Sequence, residues 1–218
     1  MLLKSKREEV IEYARRMSAS KLVSGTWGNL SVRDPETGLI AITPSGMDYD
    51  SLEPQDIVVM DETGKIVDGK RRPTIEVPLH LGLFRNRKDI NGIVHTHSIF
   101  ATTLGVLNLG VPVVSAEMAA VVGGPVPVAP FAVFGTEEFG RIALETMGDG
   151  CAVVLKNHGV VAVGPALPDA FAVASVVEDA AMVYVFASMI GKPDLVPEEY
   201  LGSMRSTYLN RYGQRVAS

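Results

Sequence analysis

The chain has 218 residues, 47% hydrophobic and 21% charged, which is typical of a globular protein with one good core. Its net charge of −5 argues against nucleic-acid binding, and a single cysteine, Cys151, excludes an intrachain disulfide framework. The N-terminus lacks an apolar signal region, and glycines and prolines interrupt the long apolar stretch 100–134. We therefore expect a cytoplasmic protein without a membrane span.

The first half of the chain predicts an amphipathic helix followed by hairpins. Residues 5–8 (SKRE) have capping-box spacing and precede apolar residues at helical intervals. Strands are predicted at 30–32 and 39–42, and again at 57–60 and 65–67, each pair around a turn rich in Asp and Gly. The segment 73–76 then leads into a helix with Pro78 in its first turn.

The second half predicts further strands and three longer helices. A buried strand ends near Ser98, which is expected to cap a short helix, and strands are predicted at 111–115 and 125–128 around the segment that holds Glu117. A helix from Thr136 to about 148, a hairpin around His158 and helices at about 169–190 and 197–208 follow. Together they predict one α/β domain over residues 1–218, with a mobile tail from about residue 209.

Three of the four histidines occupy positions that suit a metal site. His95 and His97 are two residues apart in an apolar strand and point the same way, while His158 lies between two apolar runs. A His-x-His pair can also be simple packing, but three imidazoles without cysteines are typical of a catalytic zinc site with an open position. The fourth histidine, His80, is expected to serve packing.

A base and a polar cradle accompany these histidines. Glu76 stands at a predicted helix N-terminus just before the His-x-His strand, where it is either a general base or only a helix cap. The turns at 25–29, 43–46 and 73–74 offer hydroxyls, an amide and glycine N–H groups that together could hold a phosphate. Each turn alone is ordinary, and none matches a P-loop or a dinucleotide fingerprint.

Five ordered motifs carry a family resemblance: GTWGNLS at 25–31, TPSG at 43–46, PTIE at 73–76, HTH at 95–97 and NHG at 157–159. In order and spacing they resemble the class II aldolase and adducin family, most closely its L-fuculose-1-phosphate and related deoxyketose-1-phosphate aldolases. The resemblance implies a three-layer α/β/α fold, a homotetramer with sites at subunit interfaces, and Zn²⁺ or another divalent ion such as Mn²⁺ or Co²⁺.

The resemblance also implies roles for individual residues. His95, His97 and His158 would bind the metal, with Glu76 able to reach it before acting as the acid/base, and Tyr212 would fold over the site. The implied substrate-binding residues are Thr26, Gly28, Asn29, Ser45, Gly46, Thr74 and Ile75. Three positions depart from the usual pattern: Ile75 replaces a hydroxyl residue, Trp27 a small residue, and Glu117 a tyrosine that reaches the neighbouring site. Glu117 is a further candidate for a catalytic residue.

These residues favour reversible aldol cleavage of a phosphorylated ketose to dihydroxyacetone phosphate and a short aldehyde. A sugar-phosphate 4-epimerase of the same family is the nearest alternative, although its pattern has aspartate where this chain has Glu76. A dehydratase or decarboxylase stays open because of Glu117. An adducin-like interaction module, from a different functional class, is disfavoured because all three histidines and Glu76 are present.

Overall fold

The structure, a computed structural model, describes residues 1–213. Its strands are β1 (Asn29–Arg33), β2 (Ile40–Ile42), β3 (Val58–Met60), β4 (Ile66–Asp68), β5 (Gly92–Thr96), β6 (Val128–Ala129), β7 (Ala152–Leu155) and β8 (Gly159–Gly164). Its helices are α1 (Lys4–Ala19), α2 (Val77–Asn86), α3 (Ile99–Val106), α4 (Ala116–Val121), α5 (Glu137–Met147), α6 (Leu167–Ile190) and α7 (Glu198–Arg211). The strands form one sheet in the order β4-β3-β2-β1-β5-β8-β7-β6, and only the β6–β7 pair is parallel.

Helices cover both faces of this sheet. One apolar cluster joins the sheet to α1, α3, α4 and α6, and a second joins the opposite face to α2 and α5. Side chains along β5 point alternately to the two faces of the sheet: Ile93 belongs to the second cluster and Val94 to the first. The arrangement confirms the three-layer α/β/α fold that the family resemblance implies.

Helix α6 is apolar enough to cross a membrane by length and composition, with 44% of its most apolar stretch buried in the protein. Core helices of soluble proteins meet the same criterion, and α6 packs against β5 and β8. It therefore gives no support for a membrane protein.

Two predicted helix caps are wrong. Helix α1 begins at Lys4, so the expected capping box at Ser5 lies inside the helix. Ser98 does precede α3, but its Oγ atom bonds the Thr96 hydroxyl instead of a helix N–H. The α3 N-terminus is capped from α6, because the carboxylate of Glu178 accepts from the N–H groups of Phe100 and Ala101.

The strand predictions at 111–115 and 125–128 are largely wrong. Val111 and Val126 form only an isolated bridge, and β6 keeps only two residues. Proline at 112, 125 and 127 lacks the N–H that a continuous ladder requires. At the C-terminus, α7 continues to Arg211, so residues 209–211 of the expected tail are helical, and residues 214–218 lie outside the described residues.

Candidate metal centre and active site

The pairing of β5 with β8 brings the three histidines together. His95 lies in β5 opposite Val161, His97 follows the end of β5, and His158 occupies the turn between β7 and β8. Gly159 permits the close approach, because a Cβ atom there would lie 2.1 Å from the carbonyl oxygen of Thr96. The ring centroids are 4.9 Å apart in all three pairs, and one ligand atom from each ring lies within 4.8 Å of the others.

The three imidazoles are held in the neutral form that binds metals. Burial lowers the pKa of His95, His97 and His158 to about 4, so the rings are uncharged at neutral pH. Nδ1 of His95 donates to the carbonyl oxygen of Val160 at 3.0 Å, which leaves the lone pair of Nε2 directed at the other rings. The ring of Phe139 stacks on His158 at 5.3 Å and fixes its plane.

Glu76 faces these imidazoles. It is the residue that precedes α2, yet its side chain makes no capping hydrogen bond. Its Oε2 atom lies 3.1 Å from Nε2 of His95 and accepts from Nδ2 of Asn29 at 2.8 Å, while Oε1 lies 3.5 Å from Nε2 of His158. The helix-cap interpretation therefore does not fit the position of the carboxylate.

The electrostatics of this cluster fit a divalent cation. Glu76 is 4% exposed, and within residues 1–213 its ion-pair contacts are only with His95 and His158, which burial keeps neutral. Its Oε1 atom is buried and has no hydrogen-bond partner among the described residues. A buried carboxylate without a positive partner is costly, and a cation among three imidazole nitrogens would balance it. The triad could thus hold a divalent metal.

A cavity of about 190 Å³ opens beside the histidines. All seven residues predicted to bind substrate line it: Thr26, Gly28, Asn29, Ser45, Gly46, Thr74 and Ile75. Glu76, His97 and His158 also line it, together with Pro44 and two exposed aromatic residues, Trp27 and Phe134. Among residues 1–213, no lysine or arginine contributes to its wall, so an anion here would be held by hydroxyls, amides and the metal.

Close contacts hold the first polar turn against β5 and join the second turn to the third. Gly28 has φ +79°, and a Cβ atom there would meet the carbonyl oxygen of His95 at 2.7 Å, so the turn can come this close to β5 only with glycine. The buried hydroxyl of Tyr49 donates to the carbonyl oxygen of Gly28 at 2.6 Å. The N–H of Thr74 donates to the carbonyl oxygen of Thr43 at 3.1 Å, which joins the second turn to the third.

Glu117 and Tyr212 lie elsewhere in the chain. Neither lines the cavity beside the histidines; both line a separate groove of about 610 Å³ between α4 and α7. Tyr212 is 72% exposed. Within one copy of residues 1–213, these two predicted catalytic residues are not brought to the histidines.

Two aromatic contributors to the site were not predicted from the sequence. Phe134 and Phe139 contact His158 from the segment 134–139, whose polar residues 136–138 signal only the start of α5. His80, which the sequence predicts to serve packing, is completely buried, and both of its ring nitrogens are also hydrogen-bonded. Its four-residue spacing from Glu76 on one helix was the available signal.

Comparison with known proteins agrees with this site. Residues 8–185 match the family described as Class II Aldolase and Adducin N-terminal domain. A 5-deoxy-D-ribulose 1-phosphate aldolase of Bacillus thuringiensis is 40% identical, and the alignment covers 99% of this chain and 100% of the relative. A 5-methylthioribulose-1-phosphate/5-deoxyribulose-1-phosphate aldolase of Rhodospirillum rubrum is 36% identical over 88% of this chain and 86% of the relative.

A solved structure of an L-fuculose 1-phosphate aldolase superposes with a TM-score of 0.91 at 38% identity, covering 96% of this chain and 98% of that chain. The chain belongs to the class II aldolase and adducin family. These three relatives are aldolases, and their alignments cover 88% to 99% of this chain. The chain is accordingly an enzyme, an aldehyde-lyase.

We predict that His97→Ala loses at least about tenfold in metal affinity, because two imidazoles hold a divalent ion less tightly than three. Elemental analysis after dialysis measures the metal content. Phe134→Ala is the matched control, since it removes a ring from the same cavity without removing a ligand. Full metal occupancy in His97→Ala would show that the ion lies elsewhere.

Proposed function

We propose that the chain is a metal-dependent aldolase that reversibly cleaves a ketose 1-phosphate to dihydroxyacetone phosphate and a short aldehyde. The observation that carries the proposal is the buried carboxylate of Glu76 among three neutral imidazoles, beside a cavity lined by three polar turns. A binding module would have no use for an uncompensated buried carboxylate, whereas carbon–carbon bond cleavage needs a base next to a Lewis acid.

The chemistry divides between the metal and the carboxylate. When bound by His95, His97 and His158, a divalent ion, proposed to be zinc with manganese or cobalt as substitutes, would draw electron density from the substrate carbonyl and hydroxyl oxygens. In cleavage, the Glu76 carboxylate takes the proton of the C4 hydroxyl as the C4–O bond becomes the aldehyde carbonyl; the C3–C4 electron pair stays on C3, and Glu76 then delivers its proton to that carbon. In the reverse direction, the Glu76 carboxylate removes the same proton from dihydroxyacetone phosphate.

The three turns are proposed to hold the phosphate of the substrate. The Gly28 turn, Ser45 and Gly46, and the Thr74 hydroxyl would donate hydrogen bonds in place of lysine or arginine side chains. Ile75, which is 60% exposed at this cavity, adds apolar contact but no donor. We expect the phosphate to be bound more weakly than in a site with a second hydroxyl at this position.

The remote end of the substrate is proposed to be apolar. Trp27 and Phe134 are 65% and 53% exposed, and their rings lie 5.8 Å from those of His97 and His158. Aromatic surface next to the metal centre suits an aldehyde that ends in a methyl or thioether group. The two curated relatives bear names of 5-deoxy- and 5-methylthio-ketopentose phosphate aldolases, which supports this substrate class.

We propose that residues 1–218 form one domain that assembles as a cytoplasmic homotetramer. The apolar stretch 100–134 leaves several large side chains exposed, namely Val106, Leu107, Leu109, Phe131, Val133 and Phe134. Helix α6 adds Val183, Phe186, Met189 and Ile190. Exposed apolar surface of this extent is typical of a subunit interface. In the tetramer, Glu117 and Tyr212 of one copy would complete the site of its neighbour.

Replacing Glu76 by Gln should lower turnover by a factor of ~10²–10⁴, since it keeps the shape and removes the base. Metal content and substrate KM should change far less, because the imidazoles and the turns are untouched. Deuterium exchange at the hydroxylated carbon of dihydroxyacetone phosphate measures this proton transfer without the aldehyde. Exchange at the parent rate would assign the base to another residue, with Glu117 the next candidate.

We expect light scattering to report a tetramer at assay concentration, and Phe186→Asp to weaken assembly by placing a charge on the exposed face of α6. Val67→Asp, which alters an exposed apolar side chain on β4, is the control and should leave assembly unchanged. An active monomer would contradict both the assembly and the shared site.

Trp27→Ala should reduce kcat/KM for 5-deoxyketopentose 1-phosphates by roughly 10–100-fold relative to their 5-hydroxy analogues, because apolar contact contributes selectivity of this size. Parallel assays of both substrates measure the ratio. A Trp27→Phe control retains an aromatic ring and should keep most of the preference. An unchanged ratio in Trp27→Ala would remove Trp27 from substrate selection.

A further inference from the structure

A chain of hydrogen bonds runs from β1 through α2 to the proposed base. Oγ of Ser31 lies 2.6 Å from Nδ1 of His80, Nε2 of His80 contacts Oδ1 of Asn29, and Nδ2 of Asn29 donates to Oε2 of Glu76 at 2.8 Å. The four residues are between 0% and 4% exposed. Water therefore has little access to substitute for any of these contacts.

The elements that carry the chain leave it little freedom. Asn29 and Ser31 are alternate residues of β1 and point to the same face of the sheet, towards α2. His80 is four residues beyond Glu76, so both side chains project from one side of the helix start. The imidazole of His80 bridges the two strand residues, while Asn29 reaches across to the carboxylate.

The hydrogen bonds have one possible direction when Glu76 is ionised. A carboxylate only accepts, so Asn29 must present its NH₂ group to Glu76 and its carbonyl oxygen to His80. That oxygen also only accepts, so Nε2 of His80 carries the hydrogen and Nδ1 is left as an acceptor for the hydroxyl of Ser31. Turning the Asn29 amide over would place its oxygen against the carboxylate and break both contacts.

We propose that His80 is a positioning residue for the base: it fixes the amide of Asn29, which holds Oε2 of Glu76 and leaves Oε1 free to exchange the substrate proton. This inference rests on the proposed aldolase function. It accounts for the asymmetry of the carboxylate, because Oε2 has a donor and the buried Oε1 has none among residues 1–213. It also gives His80, which does not itself line the cavity, a role beyond packing.

The test compares His80→Phe with His80→Gln. Phenylalanine fills the space of the imidazole without hydrogen bonds, whereas the glutamine amide can donate to Asn29 and accept from Ser31. His80→Phe should slow deuterium exchange into dihydroxyacetone phosphate and kcat by about tenfold, with KM and metal content near parent values. His80→Gln should restore both rates to within about threefold of the parent.

A double-mutant cycle separates this inference from the proposed function. In a Glu76→Gln background, His80→Phe should have no further effect on exchange, because the group that it positions is gone. If Glu76→Gln itself exchanges at the parent rate, the proposed base is wrong. If Glu76→Gln slows exchange but His80→Phe does not, only the positioning role of His80 is wrong. The positioning role is also wrong if the rate losses of the two single variants multiply in the double variant.

Ser31→Ala provides a milder variant should His80→Phe fail to fold. It removes only the hydroxyl that donates to Nδ1 of His80, so the imidazole is anchored at one nitrogen instead of two and holds the Asn29 amide less firmly. We expect a smaller loss of exchange rate at unchanged KM and metal content. A parent-like exchange rate in a folded Ser31→Ala protein would overturn the proposed chain.

Discussion

The pairing of β1 with β5 is the constraint on which the rest of the site depends. Asn29 stands directly opposite His95 in this register, and β8 pairs with the other edge of β5. A slip of one residue would turn His95 towards the layer that contains α6 and carry Asn29 away from Glu76. The apolar alternation of Ile93 and Val94, which belong to opposite core clusters, makes such a slip expensive.

Electrostatics explain how the apolar core can hold three histidines next to Glu76. Desolvation lowers the histidine pKa values to about 4, so the imidazoles bring no positive charge, and Glu76 faces them unbalanced. A protein optimised only for stability would pair such a carboxylate with arginine or replace it. A divalent ion bound by the three imidazoles would remove the imbalance, and metal affinity and folding stability would then be coupled.

The sequence predicted the parts of this site that depend on local periodicity. His95 and His97 share a side because residues two apart do so along an extended chain, and His158 followed from a hairpin. It could not predict the partners of His80, because Asn29 and Ser31 are 51 and 49 residues away. The same holds for Glu178, which caps α3 from 78 residues away, and for the failed strand at 111–115, where tertiary context overrode β propensity.

The proposed phosphate-binding turn and the contact to the proposed base meet at the beginning of β1. Gly28 and Asn29 belong to the turn proposed to hold the phosphate, and the Asn29 amide also holds the base. Tyr49 fixes this turn through the Gly28 carbonyl, and His80 fixes the amide, so a displacement of the turn would carry Glu76 with it. Binding energy from the phosphate, remote from the reacting carbon, can thus be used to align the carboxylate. Under the proposed function, the phosphate-binding turn and the amide that positions the base are thus neighbours at the start of one strand, and the strand register supplies the precision that proton transfer requires.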